Sequence, residues 1–109
     1  MANIYTNAKV DLTTTAETTL YTTPSNSRAI VKSILVSNDA GSAATITVTL
    51  TNAAGAVFSL FKVKSIASNT SEQLLTEPLI LLESEILKVT ASDANELHVV
   101  VSILEIQPR

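Results

Sequence analysis

From Ala44 to Thr51 the chain alternates between apolar residues and threonine without a break, reading Ala-Thr-Ile-Thr-Val-Thr-Leu-Thr. Successive side chains of a β-strand point to opposite faces. The pattern therefore predicts a strand with Ala44, Ile46, Val48 and Leu50 toward a core and Thr45, Thr47, Thr49 and Thr51 toward water. Burial on one side only is the habit of antiparallel sheets, because parallel sheets are covered on both faces by crossover helices.

The same period recurs along the chain. Residues 1–23 are rich in threonine and asparagine and thin in apolar residues; they read as a loose arm over 1–15 with edge strands near Lys9–Thr14 and Glu17–Thr22. Thr23-Pro24-Ser25-Asn26-Ser27 has turn composition. Arg28–Asn38 is a long strand with Ile30, Ile34 and Val36 on one face and Ala29, Val31 and Leu35 on the other, which predicts a central strand covered twice. Turns at Asn38–Ser42, where Gly41 can supply a positive φ, and at Asn52–Gly55 bracket the threonine strand. Ala56–Val63 returns, Lys64–Ser71 is loop-like, and Glu72–Thr76 fits either a strand or a helical turn. Leu79–Leu82, Glu85–Ala91 and the long apolar Glu96–Ile106 complete the set. Strands about ten residues apart with no helical period predict an all-β fold: one antiparallel β-sandwich or jelly roll of about seven to nine strands over residues 1–109.

Composition narrows the chemistry. There is no cysteine, so disulfides, thiolate nucleophiles and cysteine-ligated zinc are excluded. Charged residues are only 16%, and 15 threonines and 12 serines take their place, a surface that resists association poorly. The net charge of −3, with seven basic residues scattered along the chain, lacks the basic stripe that nucleic acid requires. No basic-then-apolar leader opens the chain, and Leu79–Leu82 and Val99–Val101 are far too short for a membrane span. The expectation is a soluble protein with no membrane or direct nucleic-acid partner.

Candidate catalytic and metal residues each have a plainer reading. His98 is the sole histidine and lies between Leu97 and Val99 in the last strand, with no Asp or Ser at a spacing that suggests a triad. Glu83 and Glu85 could point the same way as a carboxylate pair, but a sugar cleft needs aromatics and the chain has only Tyr5, Tyr21, Phe58 and Phe61. Asp93, Asn95 and Glu96, or Asn38 and Asp39, offer oxygens without a calcium-loop pattern, and turn formation explains both groups. Asn69-Thr70-Ser71 fits the glycosylation tripeptide in a chain with no export signal. No phosphate loop, dinucleotide fingerprint or nucleophile elbow occurs. The expectation is no enzyme, no metal and no cofactor.

The succession Arg28–Asn38, an Ala/Gly/Ser turn and a Thr/Val strand, then Leu79–Glu83, Ile86–Ser92 and Val99–Ile106, resembles short virion proteins of tailed bacteriophages, notably those of marine and cyanobacterial phages. The likeness covers residues 28–106 and is a strand pattern without a catalytic motif. It implies a small sandwich on the outside of a particle: a capsid cement (decoration) protein acting as a homotrimer on the major capsid protein, made in the host cytoplasm and carried on the capsid exterior. A tail, baseplate or fibre component is the alternative, and a glycan- or host-surface-binding module is a third. Such proteins work through surfaces, which makes Ile4, Tyr5, Val10, Leu12 and Tyr21 the candidate interface residues, with Met1–Thr15 as an arm that adds a strand to a neighbour's sheet.

Overall fold

The computed structural model describes residues 2–107. Nine strands account for its regular structure: β1 (Ala2–Asp11), β2 (Thr18–Thr22), β3 (Arg28–Asn38), β4 (Ala44–Thr51), β5 (Val57–Ile66), β6 (Thr70–Gln73), β7 (Leu79–Leu81), β8 (Ile86–Ala91) and β9 (Leu97–Gln107). They form two antiparallel sheets. One runs β1-β9-β3-β6, with β7 also paired to β3; the other runs β2-β8-β4-β5.

The pairing has a simple logic. β4 pairs with β5, β3 with β6 and β7, β2 with β8, and β1 with β9. The chain is thus one long hairpin whose tip is the Asn52–Ala56 turn, where Asn52 Oδ1 accepts from the amides of Ala54 and Ala56. Rolling that hairpin brings β9 against β3 and β8 against β4 and splits the ribbon into two layers. This is jelly-roll topology. With only two glycines, the turns place Asn26, Asn69, Ser84 and Asn95 in the left-handed region that short polar side chains tolerate.

The apolar positions of β4 behave as their alternation predicts. Ala44, Ile46, Val48 and Leu50 are buried between the layers with Leu87, Val89 and Ala91 of β8 and with Val99, Val101 and Ile103 of β9. The threonine face departs from expectation. Thr49 is buried, and the Oγ1 atoms of Thr49 and Thr51 are enclosed without a hydrogen-bond partner. Thr49 sits in the interior of its sheet, opposite Ser59 of β5 on one side and Lys88 of β8 on the other.

Three further expectations change. Residues 2–11 of the expected 1–15 arm form an unbroken ladder of ten pairs with β9, and Leu12 continues into the core; Met1 lies outside the described residues. A strand that satisfies its backbone in its own sheet is no longer a free arm. In β3, the register with β9 jumps between Val31 and Ser33, so Lys32 is an inserted residue. The insertion reverses the alternation: Ala29, Val31, Ile34 and Val36 all face the core, while Ile30 and Leu35 face outward, Ile30 half-buried and Leu35 exposed. The segment expected to be loop-like from Lys64 contains the end of β5 and the start of β6, closed by an ion pair between Lys64 and Glu72 at 3.5 Å.

Candidate functional surface

The β-ladder registers place side chains of different strands in rows across the outer face of the five-stranded sheet. Tyr5 of β1 stands opposite Leu104 of β9, Leu104 opposite Ile30 of β3, and Ile30 opposite Ile80 of β7. One apolar row therefore crosses four strands. Tyr5 is 78% and Ile80 59% exposed, and Leu82, two residues past Ile80, is 48% exposed. The adjoining row carries Asn3, Ile106 and Arg28. Farther along, Lys9, Val100 and Leu35 line up, with Val100 and Leu35 both exposed.

Three cations stand among these residues. Arg28 and Lys9 come from the ladder positions above, and the inserted Lys32 borders a shallow depression with Tyr5, Asn7 and Ser102. Among the described residues none of the three has a carboxylate within ion-pair distance; Lys9 donates instead to Asn7 Oδ1 at 3.2 Å. The face thus combines an apolar stripe with unneutralised positive charge, in a chain that is acidic as a whole.

The candidate interface residues named from the sequence separate into two groups. Tyr5 lies on the outer face, and Ile4 is 41% exposed beside it on the opposite side of β1. Val10 and Tyr21 pack against the core and are only partly accessible. Leu12 is 1% exposed and belongs to the core, so it is removed from the interface set. Its amide donates to Leu97 O at 3.0 Å and its carbonyl accepts from Asn95, which ties the β1–β2 connection inward.

His98 is less isolated than its sequence neighbours suggest. Its Nε2 lies 3.2 Å from Asp11 Oδ1, and its Nδ1 lies 4.0 Å from Asp39 Oδ2. β1 and the end of β3 bring these carboxylates to opposite sides of the ring. Ser37 faces His98 across the ladder, and the short contact of the ring is to Asp11 rather than to this hydroxyl. The cluster brings together residues of three chain segments at one end of the sheet.

The remaining candidates serve turns. Glu83 accepts from the Asn26 amide at 2.7 Å and Glu85 from the Leu82 amide at 2.8 Å, so the two carboxylates cap different backbone groups. Glu96 is buried and accepts from Ser42 Oγ at 2.7 Å. Asn38 spends its side chain on the Ala40 amide and the Ser42 and Ile66 carbonyls. Asp93 lies exposed in the β8–β9 turn, and Asn69 lies exposed in the left-handed turn before β6.

One pair escaped sequence reading because its members lie 84 residues apart. Tyr21 donates its phenol to Glu105 Oε2 at 2.6 Å. Burial, reinforced by this hydrogen bond and by the negative charge of Glu105, raises the phenol well above its usual range. Above about pH 10, where an unfolded tyrosine ionises, the folded chain holds this proton and the unfolded chain releases it. Stability from this source is complete below that pH and is lost as pH rises. Urea midpoints measured on either side of about pH 10 should fall with rising pH, and Tyr21→Phe should flatten the decline; an equal slope in the variant would remove the pair as its cause.

No known protein-family profile matches the chain, and no curated protein is similar in sequence. A solved structure shares the fold. A chain in the structure of infectious bursal disease virus, Gx strain, superposes with a TM-score of 0.56 at 11% identity over 99% of this chain and 32% of its own length. A chain in the structure of the Gt strain gives a TM-score of 0.44 at 11% identity over 98% of this chain and 31% of its own. This chain spans about a third of the length of either. The first likeness places its two-layered architecture among known folds.

Proposed function

We propose that this protein is a structural component of a virus particle, acting as a decoration protein that docks through the outer face of its five-stranded sheet. The observation that carries the reading is the in-register row Tyr5–Leu104–Ile30–Ile80, flanked by Arg28, Lys32 and Lys9. Apolar side chains aligned across four strands make a flat, preorganised strip, which suits a broad protein surface better than a small molecule. The fold shared with a chain of a virus structure supports the same reading. So does the resemblance of residues 28–106 to small phage virion proteins. A protein of this kind stabilises a lattice because it binds the assembled form and not its separated parts. Many symmetric copies strengthen that effect without any new contact.

The test is binding to particles. Purified particles stripped of this chain should rebind it, and Tyr5→Ser with Ile80→Ser should weaken rebinding by about tenfold or more, since each loses roughly 1 kcal/mol or more of apolar burial. The variant's thermal midpoint should stay near that of the parent, because both side chains are exposed in the free protein. Unchanged rebinding would remove this face as the docking surface. Copy number read against the major capsid protein separates a decoration protein, abundant over the whole head, from a tail component confined to one vertex.

A further inference from the structure

Each sheet of the sandwich ends in two edge strands, and three of the four edges are blunted. β2 is five residues long, and its register breaks between Thr19 and Tyr21. β5 shifts register twice against β4, carries Lys62 and Lys64, and holds Val63 at a φ of 54°, a left-handed conformation that a β-branched residue adopts only under strain. The edge formed by β6 and β7 consists of four-residue and three-residue pieces with Pro78 between them. These are the devices by which sheets prevent unwanted pairing. β1 carries a single lysine, Lys9, but none of the other devices: it is ten residues long, free of proline, and pairs with β9 in unbroken register. Among the described residues no strand pairs with its other side.

β1 is also incompletely covered. Its even-numbered residues point between the layers, yet Ile4 is 41% exposed and Thr6 is exposed, whereas the inward residues of β9 from Leu97 to Ile103 are buried.

We infer that β1 is a self-association edge, pairing antiparallel with β1 of a second copy about a twofold axis that passes beside Asn7. A twofold axis perpendicular to the sheet keeps outward residues opposite outward residues, so only alternate registers are allowed. With Asn7 on the axis, Tyr5 meets Lys9 of the second copy on the outer face, an aromatic ring against an ammonium. On the inner face Ile4 meets Val10, and Thr6 meets Ala8. Asp11 meets Asn3. No like charges are opposed, and the half-covered Ile4 gains an apolar neighbour. The adjacent allowed register, with Thr6 on the axis, sets Tyr5 against Asn7, which loses the aromatic–ammonium pair, and Ile4 against Ala8, a smaller apolar neighbour than Val10. The chosen pairing joins the two five-stranded sheets into one continuous sheet across both copies. It also brings their Tyr5–Leu104–Ile30–Ile80 rows onto one surface. The inference stands independently of the virion reading.

The whole chain should sediment as a concentration-dependent dimer. Asn7→Asp and Asn7→Lys, each placing like charges on the axis, should each weaken self-association by about tenfold or more, and mixing the two variants should restore it. Because the chain has no cysteine, Asn7→Cys should give a disulfide-linked dimer on mild oxidation, while Thr19→Cys on the exposed β2 edge should not. A monomer at every concentration would overturn the inference and leave the edge to a different partner. A dimer or trimer indifferent to both charged variants would overturn it equally, and a trimer would favour the threefold arrangement that the phage resemblance implies. Circular dichroism of the Asn7 variants matching the parent excludes misfolding as the cause of any loss.

Discussion

Leu87→Ala should lower the unfolding free energy by about 3 kcal/mol, within the 2–5 kcal/mol that buried leucine truncations cost. Leu87 is fully buried in β8, an interior strand of its sheet, where it lies between Leu50 of β4 and Tyr21 of β2. Hydrogen-bonded ladders on both sides hold β8 in place, so the surrounding backbone cannot collapse into the void left by the missing methyls. The loss then includes the cavity as well as the transfer of the side chain. For a domain of this size the thermal midpoint should fall by on the order of 10 °C or more. Urea unfolding should show a lower midpoint with an unchanged slope. A loss below about 1 kcal/mol would mean that the two layers are less tightly interlocked than their burial indicates.

Asn38→Leu should cost about 2–4 kcal/mol, despite adding an apolar side chain at a buried position. Asn38 is 1% exposed, and its amide nitrogen donates to Ser42 O at 3.0 Å and Ile66 O at 3.2 Å while Oδ1 accepts from Ala40 N at 2.9 Å. One side chain thus holds the β3–β4 turn and anchors the end of β5 to it. Leucine satisfies none of these groups, and each buried group left without a partner costs about 1–3 kcal/mol. The matched control is Asn52→Ala. Asn52 makes similar bonds to Ala54 N and Ala56 N in an exposed hairpin, where water can replace it, and the expected cost is about 1 kcal/mol or less. Equal losses at the two sites would show that the Asn38 network is solvated in solution.

Both effects are local to the sandwich and leave the outer face intact. The exposed Tyr5 and Ile80 should behave in the opposite way: their loss should cost little in folding and, on the proposed docking role, register in binding. Core and surface substitutions together therefore separate loss of folding from loss of the proposed docking.

The antiparallel sandwich was legible in the chain because strand formation and one-sided burial repeat every two residues and are set by near neighbours. Arg28–Asn38 and Ala44–Thr51 have the bounds that pattern and turn residues indicate, and Leu97–Gln107 lies one residue along from the expected span. The turn roles of Glu85 and Asn38 followed from the same local chemistry, whereas Glu83 reaches the Asn26 amide of a distant turn. What alternation could not reveal depends on partners distant in the chain. A single inserted residue, Lys32, reverses the facing of β3, and only its pairing with β9 exposes the insertion. The segment around Ile4 and Tyr5 has too few apolar residues to announce a strand, yet the open side of β9 supplies the backbone partners that make it one. The row from Tyr5 to Ile80, the Tyr21–Glu105 pair and the carboxylates flanking His98 join residues far apart in the chain. Sequence alone determined which residues prefer to be extended and which of them are apolar. Register and layer packing decided which apolar residues are left outside, because that outcome depends on what each strand finds beside it.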